Sequence, residues 1–213
     1  MEKITIGDWP VIMESVASVM DGNAEMLCAL DAKMGDGDLG LTMKKGYDAL
    51  SGLFKGIVES DMGKHLYKVG VKFAALVPST MGTLMASGWM EGGKRLVGVV
   101  SVGSNEFASF IAGFAEGVAK RGKCQIGERT LLDALSPAAR RAQECAQKGC
   151  ELGEVAFSAL QGSLSGVEET KNMIPKYGKA AVFSAKAIGI PDQGATAGML
   201  LIQGLYEGIK NHG

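Results

Sequence analysis

The chain has 213 residues and is 46% apolar, enough to bury one sizeable core, and residues 1–213 are expected to form a single domain. Its 22 basic and 23 acidic residues leave a formal charge of -1, and the absence of like-charge runs argues against nucleic-acid or polybasic membrane contacts. No segment is apolar over the roughly 20 residues that a bilayer crossing needs, and the N-terminal MEKITIGDWP has no export-signal pattern. Four scattered cysteines and two histidines support a zinc site poorly, so a cytoplasmic protein with reduced thiols is expected.

Helical periodicity dominates from the N-terminus onward. In Asp8–Met20 the apolar residues Ile12, Met13, Val16, Val19 and Met20 recur at three- and four-residue steps, which marks one buried helix face. Similar stripes run through Ala24–Leu30, Leu41–Phe54, His65–Leu76, Phe107–Ala119, Leu131–Gln147, Val155–Leu164 and Thr196–Ile209, and Ser79–Gly88 follows Pro78 as a further helix start. Only Leu96–Val102 resembles a strand. The 31 glycines are about twice the average share of roughly 7%, and they sit singly or in short loops, as close helix crossings and tight turns require. The expected fold is all-α, an antiparallel bundle or barrel of about eight helices with its glycine loops at the rims.

The segment Asp31-Ala-Lys-Met-Gly-Asp-Gly-Asp-Leu-Gly40 places three carboxylates within eight residues. It matches G-x-G-x-x-G formally, but a helix precedes it where a Rossmann strand belongs, and two aspartates would repel a pyrophosphate held on bare amides. An EF-hand counted from Asp36 fails at its sixth position, Leu41, and at its twelfth, Tyr47. The P-loop pattern is absent. Three aspartates ~5 Å apart repel pairwise by ~3 kcal/mol at an effective dielectric near 20, and Mg²⁺ would relieve this while leaving coordination sites for phosphate oxygens. A solvated acidic turn, with Asp38 as N-cap of the next helix and Gly37 turning the chain, is the alternative that the loop alone leaves open.

Four motifs in this order, DAKMGDGDLGLTMKKG, VPSTMGTLMASG, RGKCQIGERTLLDALSPA and GKAAVFSAKAIGIPDQGAT, resemble the nucleotide-binding L subunit or L domain of dihydroxyacetone kinases. The resemblance implies that Asp31, Asp36 and Asp38 bind two Mg²⁺ ions that bridge the phosphates of ADP or ATP, at one rim of the helical fold. It places Leu39, Gly40 and Thr42 beside them, assigns Ser79 and Thr80 to a phosphate-supporting helix start, and makes Gly122, Thr130 and Leu131 a wall of the adenine pocket. Lys179, Asp192 and Gly194 complete the nucleotide-facing set. Ordinary N-capping by Ser79 or Thr80, and simple core packing by Leu131, are the competing roles for these positions.

The chain departs from the family pattern at several of these positions. Leu39 replaces a histidine and Thr42 an asparagine; Lys179 and Lys186 replace arginines, which loses bidentate phosphate geometry; Ile190 replaces a histidine and Gln193 a proline. The resemblance implies phosphoryl transfer to a small ketose, dihydroxyacetone or a related triose or tetrose, held on a separate sugar-binding kinase subunit. The phosphoryl source is either exchangeable ATP or a phosphotransferase-system protein that recharges bound ADP. A nucleotide-sensing regulatory module is the alternative function, and a lipid-binding helical bundle a third that leaves the three aspartates unexplained. His65 and His212 are expected to be structural or solvent-exposed.

Overall fold

The computed structural model describes residues 3–54, 60–178, 181–182 and 187–212. Among them are nine helices: α1 (Trp9–Gly22), α2 (Ala24–Asp31), α3 (Leu39–Leu53), α4 (Met62–Leu76), α5 (Thr80–Lys94), α6 (Ser104–Gly122), α7 (Leu132–Gln147), α8 (Leu152–Thr170) and α9 (Gln193–His212). The strand-like run Leu96–Val102 contributes only its end: β2 (Ser101–Val102) pairs antiparallel with β1 (Ile4–Thr5), and the preceding residues turn at Gly98. Two residues per strand close the N-terminus onto the α5–α6 connection.

Eight helices form a closed ring in the order α1, α9, α8, α7, α6, α5, α4, α3, with α3 returning to α1 and the short α2 packed on α3 at one end. Glycines set how closely neighbours approach. A Cβ on Gly162 would meet the Pro137 carbonyl oxygen at 2.4 Å, and one on Gly166 would meet that of Asp133 at 2.1 Å. Between α9 and α1, Gly204 faces Val16 and Gly208 faces Ile12. In both pairs the numbers rise along one helix as they fall along the other, so these neighbours run antiparallel.

Large side chains fill the space inside the ring. Trp9 of α1 stacks on Phe54 with centroids 5.8 Å apart and meets Trp89 of α5 edge-on at 6.3 Å. Because α1 and α5 are not neighbours in the ring, this contact spans the interior. Aromatic rings thus occupy part of the interior that a lipid-binding bundle would leave open. His65 is buried beside Phe54, and the His212 imidazole lies 2.6 Å from the Asp8 carboxylate, so both histidines have structural surroundings. All four cysteines are free thiols. No described helix is long and apolar enough to cross a membrane.

The two kinds of glycine in α8 give a paired test. Alanine is the better helix former by about 1 kcal/mol, but at Gly166 its Cβ would press on backbone of α7, and overpacking of this kind costs about 1–3 kcal/mol. Gly153 has nothing within 4 Å of an added Cβ. Gly166→Ala is therefore expected to lower unfolding free energy in urea melts, while Gly153→Ala is neutral or stabilises by up to about 1 kcal/mol.

Candidate functional site

At the rim where α2 ends and α3 begins, one oxygen from each of Asp31, Asp36 and Asp38 can be chosen so that all lie within 4.8 Å of one another. Asp31 is buried, and its carboxylate accepts the Gly37 amide at 2.9 Å. Gly37 turns the chain at φ +78°, and a Cβ on Gly35 would strike the Asp31 carboxylate oxygen at 2.4 Å. The Gly-Asp-Gly-Asp spacing therefore folds the loop back over Asp31 and aims Asp36 and Asp38 at the same point. Asp38 does occupy the N-cap position of α3, since its carbonyl accepts the Thr42 amide at 3.0 Å, but its carboxylate makes no capping hydrogen bond. The solvated-cap reading accounts for the backbone at Asp38 and not for its side chain.

These aspartates line a cavity of about 460 Å³ together with Leu39, Thr42, Ser79, Thr80 and Gly194. The Ser79 hydroxyl caps α5 by accepting the Gly82 amide at 2.9 Å, and Thr83 donates its amide to the Ser79 carbonyl. The amides of Thr80 and Met81 are left as the open donors of the helix start, directed where an anion is favoured. Ser79 thus combines the capping role with a place at the site. A second cavity of about 780 Å³ adjoins the first, sharing Ser79, Thr80, Thr130 and Leu131 with it and extending to Gly122. Its walls include Leu84, Val118 and Leu131, which suits a flat, mostly apolar ligand portion.

Two expected residues take different places. Gly40 is buried against α2, where a Cβ would meet the Ala24 carbonyl oxygen at 1.8 Å; it lets α3 start against α2 and does not line either cavity. Asp192 borders the smaller cavity, but its carboxylate is 4% exposed and accepts the Ala195 amide at 2.8 Å, capping α9. Lys179 and Lys186 lie outside the described residues.

Arg129 and Asp133 escaped the sequence reading although both stand inside the third motif. The Asp133 carboxylate accepts the amides of Gly127 at 2.6 Å and Thr130 at 2.7 Å, which folds the loop before α7. Arg129 sits in that loop at φ +57° with its side chain fully buried. Its guanidinium donates to the carbonyls of Ala187 at 2.7 Å, Ile190 at 2.9 Å and Met173 at 3.3 Å, and its Nε lies 3.9 Å from Asp192. The only sequence signal was a cation between Gly127 and Thr130.

Burial raises the Asp192 carboxyl to a pKa of about 6, although the Ala195 amide and the Arg129 charge pull it down.

The chain is thus a closed antiparallel ring of helices that brings three carboxylates and a helix start together at one rim. The chain belongs to the DAK2 domain family, whose pattern matches residues 33–207. It is 26% identical over 202 residues to the ADP-binding subunit DhaL of PEP-dependent dihydroxyacetone kinase 2 of Listeria innocua, covering 93% of both chains. It is 29% identical over 202 residues to human triokinase/FMN cyclase, covering 94% of this chain and 35% of that protein. The crystal structure of the dihydroxyacetone kinase from C. freundii in complex with AMP-PNP and Mg²⁺ has the same fold, with a TM-score of 0.72 at 24% identity, over 93% of this chain and 33% of that one.

The shifted carboxyl of Asp192 has a measurable consequence. Between 3.8 and about 6 the folded chain holds a proton there that the unfolded chain has released, so this group's contribution to stability is full below about pH 4 and is lost as pH rises through about 6. Asp192→Asn keeps a capping acceptor. Urea melts are expected to show the variant gaining on the parent from about pH 4 to about pH 7, by up to roughly 3 kcal/mol.

Proposed function

We propose that this chain is the ADP- or ATP-Mg²⁺-binding subunit of a dihydroxyacetone-type kinase, active in the cytoplasm with a separate sugar-binding subunit on a small ketose. The observation that carries this reading is the convergence of Asp31, Asp36 and Asp38 within 4.8 Å, in one cavity with the start of α5. The donor set is all oxygen, as Mg²⁺ prefers, and three carboxylates at one point are compatible with two ions. Mg²⁺ when bound supplies neutralisation of the charge on the transferring phosphoryl group. The chain's own part is to position: Asp31 is fixed by Gly37, Thr80 and Met81 offer amides, and the larger cavity is left for the nucleoside.

The similarity to the Listeria subunit over nearly the full length of both chains supports the subunit role. It also favours a phosphotransferase-system protein as the phosphoryl source, with ADP kept in place between turnovers. Exchange of bound ADP against added ATP would point to the other source, as an ATP-dependent member of the same class.

Asp36→Asn tests the clamp with least risk to the fold, because Asp36 is exposed whereas Asp31 is buried and supports the turn. The variant should melt like the parent without ligand. Mg²⁺ with ADP at about one hundred times Kd is expected to stabilise the parent by about 2.7 kcal/mol, and the variant much less at the same concentrations. Phosphoryl transfer to a triose or tetrose ketose, assayed with the sugar-binding subunit, should fall by on the order of a hundredfold. Parent-like binding and turnover in the variant would refute the three-aspartate clamp.

A further inference from the structure

We infer that Tyr177 is a specificity-determining residue of the nucleotide site, its ring forming the wall against which the base packs. The inference rests on the nucleotide reading proposed above and names a residue that lies ahead of the fourth motif's glycine. Tyr177 lines both cavities, so it stands at their junction. Its hydroxyl donates to the Lys123 carbonyl at 2.9 Å, between Gly122 and Cys124, which both border the larger cavity. The backbone end of the residue continues into Gly178, which borders the smaller, aspartate-lined cavity as well as the larger one. The ring therefore extends from the metal end toward the far end of the larger cavity.

Among the described residues, Tyr177 is the one aromatic residue that lines the larger cavity. The same cavity is lined by apolar side chains on other elements: Leu84 from α5, Val118 from α6 and Leu131 at the start of α7. Tyr177 itself is 44% exposed, so part of its ring is left uncovered at the wall of a cavity that mixes these apolar side chains with hydroxyls and Arg121. A purine offers a flat π face and little hydrogen-bonding demand on that side, and covering the ring with it removes apolar area of both partners from water. A phosphate chain offers neither.

The ring is also held in place before any ligand arrives. Besides the bond to Lys123, the neighbouring Lys176 ammonium lies 2.9 Å from the Glu128 carboxylate, and its amide reaches the Glu128 carbonyl at 3.4 Å. The Glu128 carboxylate keeps the phenol above its ordinary pKa, so the ring stays neutral at physiological pH. A wall fixed at both ends loses little conformational freedom on binding, which is the condition for a contact to appear as affinity.

The test separates the base from the phosphates. Calorimetric titrations with Mg-ADP and with Mg-pyrophosphate would be run on the parent chain, on Tyr177→Ala and on Tyr177→Phe. Removing the ring is expected to weaken Mg-ADP by about tenfold to a hundredfold, judged from base stacking on aromatic side chains, while leaving Mg-pyrophosphate within about twofold. Tyr177→Phe, which keeps the ring and gives up the hydroxyl's interactions with the Lys123 carbonyl and Glu128, should retain most of the ADP affinity. Parent-like ADP binding by Tyr177→Ala would overturn the inference. So would an equal loss for ADP and pyrophosphate, or a loss in Tyr177→Phe as large as in Tyr177→Ala, since either result would make the residue a brace for the loops and not a surface for the base. A parent chain that binds neither ligand would instead remove the nucleotide reading, and this inference with it.

Discussion

A buried guanidinium must be met by acceptors, and Arg129 is met by the main chain of a segment that begins more than forty residues later. Its donors take up carbonyls of Met173, Ala187 and Ile190, and its Nε faces Asp192. These groups bracket the connection between α8 and α9. The connection between α6 and α7 is thereby bound to the one between α8 and α9, and both border the site. Reaching this position costs something: Arg129 holds a left-handed backbone conformation that a side chain makes unfavourable by ~1–3 kcal/mol. Asp133 offsets this by accepting the two amides that fold the loop. A buried pair such as Arg129 and Asp192 is weak evidence for added stability, because desolvation opposes the attraction. Its effect is on arrangement, since few other placements of these two loops would bring three carbonyls to the guanidinium.

The metal end obeys the opposite economy. There like charges are brought together, and the backbone is shaped to permit it. Asp31 belongs to the last turn of α2 and is buried and oriented, whereas Asp36 and Asp38 are exposed on the loop that follows. One buried carboxylate, held by the Gly37 amide, and two exposed ones thus meet at one point of the rim. Gly35 and Gly37 are part of the same arrangement: the first leaves room for the Asp31 carboxylate and the second reverses the chain above it.

Much of this was legible in the sequence because it is local. The helical stripes fall within the observed helices to within a residue or two, as in Asp8–Met20 against Trp9–Gly22, since a repeat of three and four residues is a direct image of a buried helix face. The aspartate cluster was legible for the same reason, all three carboxylates lying in one eight-residue stretch. Leu96–Val102 misled because a short apolar run reads alike as a strand or a buried turn, and only Ser101–Val102 found a partner in the N-terminal segment. Arg129 and Tyr177 were not legible. Their roles depend on contacts with residues 44 to 61 positions away, and for Tyr177 with Lys123, 54 positions back. For Gly40, proximity to the aspartates in sequence concealed the helix packing that requires a glycine there.

The altered residues of the fourth motif become intelligible in the same terms. Ile190 stands where the family pattern has a histidine, and it packs with Ala187 against Met34, forming a small apolar cluster separate from the main core. Met34 is in the aspartate loop, between Asp31 and Asp36. A contact that could have been polar at the rim is thus apolar here, and it joins the first motif to the fourth. Arg129 joins the third to the fourth, and Tyr177 ties the approach to the fourth back onto the segment that leads into the third. The segment from Lys176 to Asp192 is consequently held at three points, each belonging to a different part of the site. Repulsion among the three carboxylates acts on the loop that carries Met34, so it bears on the Met34–Ile190 contact as well. Ala187 and Ile190, whose carbonyls accept from Arg129, are also the residues that pack on Met34, so one short stretch is gripped through its backbone by a buried guanidinium and through its side chains by the aspartate loop.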